Sequence, residues 1–119
     1  MWICLSNAFL SLVDASSEPG TLLVRARRQG DIEAVFPDAK VTQSVGRDYL
    51  YRAGIAREEV AAALAEQVLK LGYPNFKDSV RDAHLHARYS TVWSAMSTLQ
   101  EYAPYHTTPR QGFRAQPQR

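Results

Sequence analysis

The sequence has little of what the familiar chemistries need. Its single cysteine, Cys4, excludes an internal disulfide and with it a disulfide-stapled secreted fold. Six glycines, none of them clustered, leave no loop to cradle a phosphate; neither Gly-x4-Gly-Lys-Ser/Thr nor Gly-x-Gly-x-x-Gly occurs, and Gly-x-Ser-x-Gly is also absent. No basic residue precedes Arg25, so the cationic start of a signal peptide is missing. The longest apolar stretch, Trp2 to Val13, is broken by Ser6, Asn7 and Ser11 and is too short for a membrane span. The expectation is a cytoplasmic protein with no membrane partner, and a bacterial one. Soft and imidazole metal ligands are scarce too: beyond Cys4 there are only His84, His86 and His106, no set for a structural zinc site. His84 and His86 resemble a chelating pair, but they fall in a helical pattern, where residues two apart point about 200° apart. No metal and no cofactor are expected.

What is present is a globular composition. The 119 residues are 45% apolar and 22% charged, enough for one domain and not for two. The net charge of +2 is unevenly spread. Residues 103–119 hold Arg110, Arg114 and Arg119 and no acid, whereas residues 1–102 hold 11 basic and 12 acidic side chains. The chain therefore divides into a single near-neutral α+β domain, 1–102, and a basic, proline-containing tail, 103–119, expected to be flexible.

Periodicity supplies the elements. Residues 2–13 read as one strand with a break at Asn7-Ala8, either a bulge or a tight turn, the bulge being favoured. Asp14 to Gly20 is turn chemistry, and Thr21 to Arg27 alternates as a second strand. Ile32, Val35 and Phe36 give a short helix after Asp31, ended by Pro37. Lys40 to Val45 and Tyr49 to Ile55 are further strands. Arg57 to Leu71 is a helix with the stripe Val60, Leu64, Val68 and Leu71. After the break at Tyr73-Pro74-Asn75, a last helix runs to about Glu101, kinked near Asp82, with a seam at Leu85, Tyr89, Val92, Met96 and Leu99. The expected fold is α+β: a four-stranded, mostly antiparallel sheet in ββαββα order, helices on one face, plus a C-terminal helix.

Three places invite a functional reading. Arg25, Arg27 and Arg52 share the strand face opposite the apolar set, where they could grip phosphates or an acidic protein segment. Alternation puts Tyr49 and Tyr51 on the other face, which disfavours nucleic-acid binding by base stacking. The corner at Tyr73, Asn75, Phe76 and Lys77 sets aromatics around a rigid turn, the makings of a recognition surface. Asp82 and His86 are four apart and can meet on a helix face as a weak acid/base pair; no nucleophile accompanies them, and Asp82 equally reads as a helix N-cap.

The opening Met1-Trp2-Ile3, Leu22-Leu23-Val24-Arg25-Ala26-Arg27, Asp48-Tyr49-Leu50-Tyr51-Arg52-Ala53 and Tyr73-Pro74-Asn75-Phe76-Lys77-Asp78 together resemble a family of short bacterial proteins without an assigned role. The resemblance covers about residues 1–100 and implies no activity, cofactor or catalytic residue. The leading expectation is then a non-catalytic protein-interaction or regulatory module, with an unidentified protein partner and a homodimer as one form of pairing. The alternatives are a nucleic-acid-binding accessory protein using the arginine face and basic tail, a phage or mobile-element inhibitor of a host defence system, and a small enzyme built on Asp82 and His86.

Overall fold

The computed structural model describes residues 1–105; the basic stretch expected as a tail lies outside the described residues from His106 onward, and His106 with it. Five strands and four helices follow in order: β1 (Trp2–Cys4), β2 (Phe9–Asp14), β3 (Thr21–Ala26), α1 (Asp31–Val35), β4 (Thr42–Gln43), β5 (Tyr51–Ala56), α2 (Arg57–Leu69), α3 (Phe76–Ser79) and α4 (Ala83–Ser97). The sheet is β1-β2-β3-β5-β4, with every neighbouring pair antiparallel. The α+β class and the antiparallel sheet are as expected. The strand count is not.

The fifth strand comes from the first apolar run. Ser6-Asn7 is not a bulge but the tip of a tight hairpin, closed by Leu5 N–H donating to the Ala8 carbonyl at 2.8 Å, with Cys4 opposite Phe9. Small polar residues favour either break, but the chain here turns back and pairs with itself. The Tyr89 hydroxyl lies against the Leu5 and Ala8 carbonyls at 3.0 and 2.9 Å, which fixes the turn from the far end of the sequence. The next hairpin closes over Asp14–Thr21, where Gly20 takes a left-handed φ of 79° that a side chain would resist.

Alternation then assigns the faces. Leu10, Leu12, Val24, Ala26, Ala53 and Ile55 point one way into the main core, closed by Ile32 and Phe36 around α1 and by Val60 of α2. Ile3, opposite Leu10, packs with them. Cys4 and Phe9 point the other way, and there they meet a second cluster of Val80, Leu85 and Tyr89. Helices therefore approach the sheet from both faces, not one: α1 and α2 over the main core, α3 and α4 over the β1–β2 end of the reverse face.

Caps explain where the C-terminal helix is interrupted. Asn75 accepts from Asp78 N–H at 3.4 Å and starts α3; Asp82 accepts from Leu85 N–H at 3.0 Å and starts α4. Between them Val80 is extended, so the expected kink is a break between two helices. Only half of the α4 seam is used. Leu85 and Tyr89 are buried, while Val92, Met96 and Leu99 run on past the sheet and are exposed. The stripe of α2 is used in the same partial way: Val60 is buried, Leu64 packs on the core, and Val68 and Leu71 are exposed.

Candidate functional site

Among the described residues no helix packs on the reverse face of the sheet beyond the second cluster. One row crosses all five strands, Trp2–Ser11–Arg25–Arg52–Thr42, each residue opposite the next. Arg25 and Arg52 are thus directly paired across β3 and β5, a spacing of about 4.5–5.5 Å between Cα atoms in antiparallel sheets. Like charges so placed repel. The repulsion is met by local tethers. Arg25 Nη2 donates to the hydroxyl of fully buried Ser11 at 2.7 Å, and Arg52 Nη2 pairs with Asp48 Oδ1 at 3.1 Å. Arg27 Nη1 donates to the Asp48 backbone carbonyl at 2.7 Å. The Nε–H groups of Arg25 and Arg52 are both buried and have no acceptor among the described residues. A guanidinium carries more N–H donors than these contacts use.

Tyr49 belongs to this face, against the expectation from alternation. The guanidinium groups of Arg25 and Arg27 both lie over its ring, at 4.4 and 4.2 Å from the centroid. The reason is that β5 begins at Tyr51, so Tyr49 sits in the preceding bend, where its N–H donates to Asp48 Oδ1 at 2.9 Å and strand alternation does not apply. Tyr51 does follow alternation and packs on the main core. At 3% exposure Tyr49 offers no surface for a base. Trp2 is the exposed aromatic in the row, at the sheet edge.

The other expected residues are not brought to this face. Asn75 is the cap of α3. Phe76 is half-buried against Tyr89, with ring centroids 5.3 Å apart, and Tyr73 leans on Phe76 at 5.6 Å. Lys77 lies over the Trp93 ring at 4.7 Å. Those contacts hold α3 on α4. Asp82 and His86 do not form an acid/base pair through their side chains. One Asp82 oxygen caps α4 and the other takes Arg28 Nη1 at 3.0 Å, while the link to His86 is the helical bond from its N–H to the Asp82 carbonyl. The Leu85 amide and the Arg28 guanidinium hold the Asp82 carboxyl below the usual aspartate range.

A buried charge that periodicity did not reveal lies beside them. Asp31 opens α1 yet is buried, and both its oxygens are engaged: Oδ1 with Arg28 Nη2 at 3.0 Å, Oδ2 with Arg28 Nε at 3.3 Å and with Phe9 N–H at 3.1 Å. Arg28 thereby joins Asp31 to Asp82 and ties α1, β2 and the start of α4 together. The i, i+3 spacing of Arg28 and Asp31 was the available signal; the Phe9 amide, 22 residues away, was not.

Reactive groups are otherwise subdued. Burial pushes the Cys4 thiol up, away from thiolate character, and burial pushes the Tyr89 phenol up as well. Among the described residues no group of three His, Cys, Asp or Glu converges to hold a metal ion, and no helix is long and apolar enough to cross a membrane. No family model matches the chain, and no curated protein or solved structure is significantly similar to it.

Proposed function

We propose that the protein is a non-catalytic interaction module, working in the cytoplasm, whose contact surface is the arginine-bearing face of the sheet and whose partner is a protein segment rich in carboxylates. The observation that carries this is the Arg25–Arg52 pair: two cations directly opposed, each with a buried Nε–H that lacks an acceptor among the described residues. An unsatisfied buried donor costs on the order of 1–3 kcal/mol. A carboxylate laid along the row meets the guanidinium edges that remain accessible, Arg52 keeping 16% of its side chain exposed, and neutralises the repulsion between the two cations.

Phosphates would meet the same donors, but two features favour a protein. Residues 1–102 carry slightly more acids than bases, so the domain has no broad positive field to hold a polyanion. Tyr49 is buried under Arg25 and Arg27 contacts and cannot stack a base. A second copy turned face to face would set arginine against arginine, so the homodimer expected from the sequence would use another surface, such as an edge strand. Both edges are short, three residues in β1 and two in β4.

The test is titration of the full chain with a glutamate- and aspartate-rich peptide, its amide counterpart (Gln and Asn in place of the acids) and a single-stranded RNA of equal charge. Binding of the acidic peptide that weakens as salt rises supports the reading. Tighter binding of the RNA turns it into the nucleic-acid alternative, and no binding of either at low salt removes the arginine face as a contact surface.

A further inference from the structure

A groove of about 400 Å³ runs between the sheet and α4, at the end of the arginine face where Arg27 leaves β3. Phe9, Leu85 and Val92 form its apolar wall, and Arg27, Arg28 and Arg88 stand around it. Arg28 is neutralised by Asp31 and Asp82. Among the described residues Arg27 contacts a backbone carbonyl and the Tyr49 ring and has no ion pair, and neither has Arg88. Two uncompensated cations therefore flank an apolar trough of the size that side chains or small ligands occupy. Val92 is half-exposed on its rim, the first of the seam residues that α4 leaves uncovered.

We infer that this groove seats the anchor of the partner: one leucine, methionine or phenylalanine side chain with aspartate or glutamate on both sides of it. The inference rests on the acidic-segment reading above, because Arg27 belongs to both the face and the groove. Charge selects the occupant. The chain's own C-terminal stretch brings Arg110, Arg114 and Arg119 and would be repelled, and a second copy docked face to face meets its own arginines. An apolar residue between carboxylates satisfies both parts of the site at once: the side chain leaves water against Phe9, Leu85 and Val92, and the flanking acids reach Arg27 and Arg88. Anchors of this kind dominate binding energy where a pocket excludes water.

The experiment uses the full chain and three short synthetic peptides of one length. The first has a central phenylalanine between pairs of acids. The second replaces that phenylalanine by alanine, and the third keeps it but replaces the acids by their amides. Affinities are read by fluorescence polarisation at low and at physiological salt. The phenylalanine-centred acidic peptide is expected to bind about tenfold or more tighter than the alanine-centred one, the order that burial of one large apolar side chain supplies. Val92→Asn, at an exposed position whose change leaves the thermal melt in place, should remove that advantage and leave the alanine-centred peptide unaffected. Arg88→Gln should weaken both acidic peptides and flatten their salt dependence. Equal affinities for the two acidic peptides overturn the anchor while leaving the arginine face standing. Equal binding of the amide peptide overturns the need for flanking acids, and no binding by any peptide overturns both readings.

Discussion

Removing the Asp31 carboxylate should destabilise the domain by roughly 2–4 kcal/mol. The side chain is only 6% exposed and meets three donors, the Phe9 amide and two nitrogens of Arg28. In Asp31→Ala the Phe9 N–H loses its acceptor inside the structure, at about 1–3 kcal/mol. The first turn of α1 also loses a favourable charge, worth about 0.3–1 kcal/mol. Arg28, 37% exposed and still paired with Asp82, turns to water and adds little. Asp31→Asn keeps an oxygen for the Phe9 amide but loses the charge and the acceptor for Arg28 Nη2, which can turn to water, so it should cost less than Asp31→Ala. Arg28→Ala leaves a buried carboxylate with a single donor and should cost about as much as Asp31→Ala; the double variant should fall short of the sum by about 1–2 kcal/mol, because the two changes remove one network. Equilibrium urea unfolding followed by circular dichroism reads these differences. With a slope of about 1–3 kcal/mol per molar for a domain of this size, Asp31→Ala should move the midpoint down by roughly 1–2 M at unchanged slope. A shift under about 0.5 kcal/mol, or one equal to that of Asp31→Asn, would refute the reasoning, since the Phe9 amide would then not depend on Asp31.

Other expectations follow from the same contacts. Tyr89→Phe removes the one hydroxyl facing the Leu5 and Ala8 carbonyls and should cost about 1–2 kcal/mol in the same urea assay, with hydrogen exchange rising first in the β1–β2 hairpin. Asp82 has a folded-state pKa below its ordinary 3.8, so its contribution is fully present above that value and is lost as pH falls through the depressed one. Acid melts of the parent should therefore lose stability below about pH 4 more steeply than those of Asp82→Asn, and parallel curves would show that the Leu85 cap and the Arg28 pair do not favour the charged form. Sedimentation equilibrium should show a monomer at micromolar concentration if short edges protect the sheet; a tight dimer would mean that some other surface, such as the exposed apolar ends of α2 and α4, drives pairing.

How much of this was legible depended on the range of the forces involved. Strand alternation over Thr21–Ala26 and Tyr51–Ala56 is a local property, so the α+β class, the antiparallel pairing and the common side of Arg25 and Arg52 could be read directly. Alternation says nothing about where a strand begins. Tyr49 lies two residues before β5, and a bend there sends its ring to the arginine side. In the same way Ser6-Asn7 interrupts an apolar run without stating whether the chain bulges or reverses. Helical stripes show which side chains could be buried, not how far the sheet beneath them extends, and so Val68, Met96 and Leu99 fit their periods yet remain exposed. The tethers of Asp31 to Phe9 and of Arg28 to Asp82 join residues far apart in sequence, where no pattern of types or spacings points to the partner.

As proposed, Arg52 serves binding of a partner and not stability, and a paired measurement of unfolding and peptide affinity on Arg52→Leu separates the two. The side chain is 16% exposed, opposes Arg25 and has a single carboxylate contact, Asp48, itself largely exposed. Its replacement relieves a like-charge pair and removes an unsatisfied donor, so unfolding stability should stay within about 0.5 kcal/mol of the parent or rise. Affinity for the acidic peptide should fall about tenfold or more, the loss of one charge-assisted contact. A variant that loses stability yet binds the peptide as tightly as the parent would contradict the account and make the arginine row a structural element of the sheet.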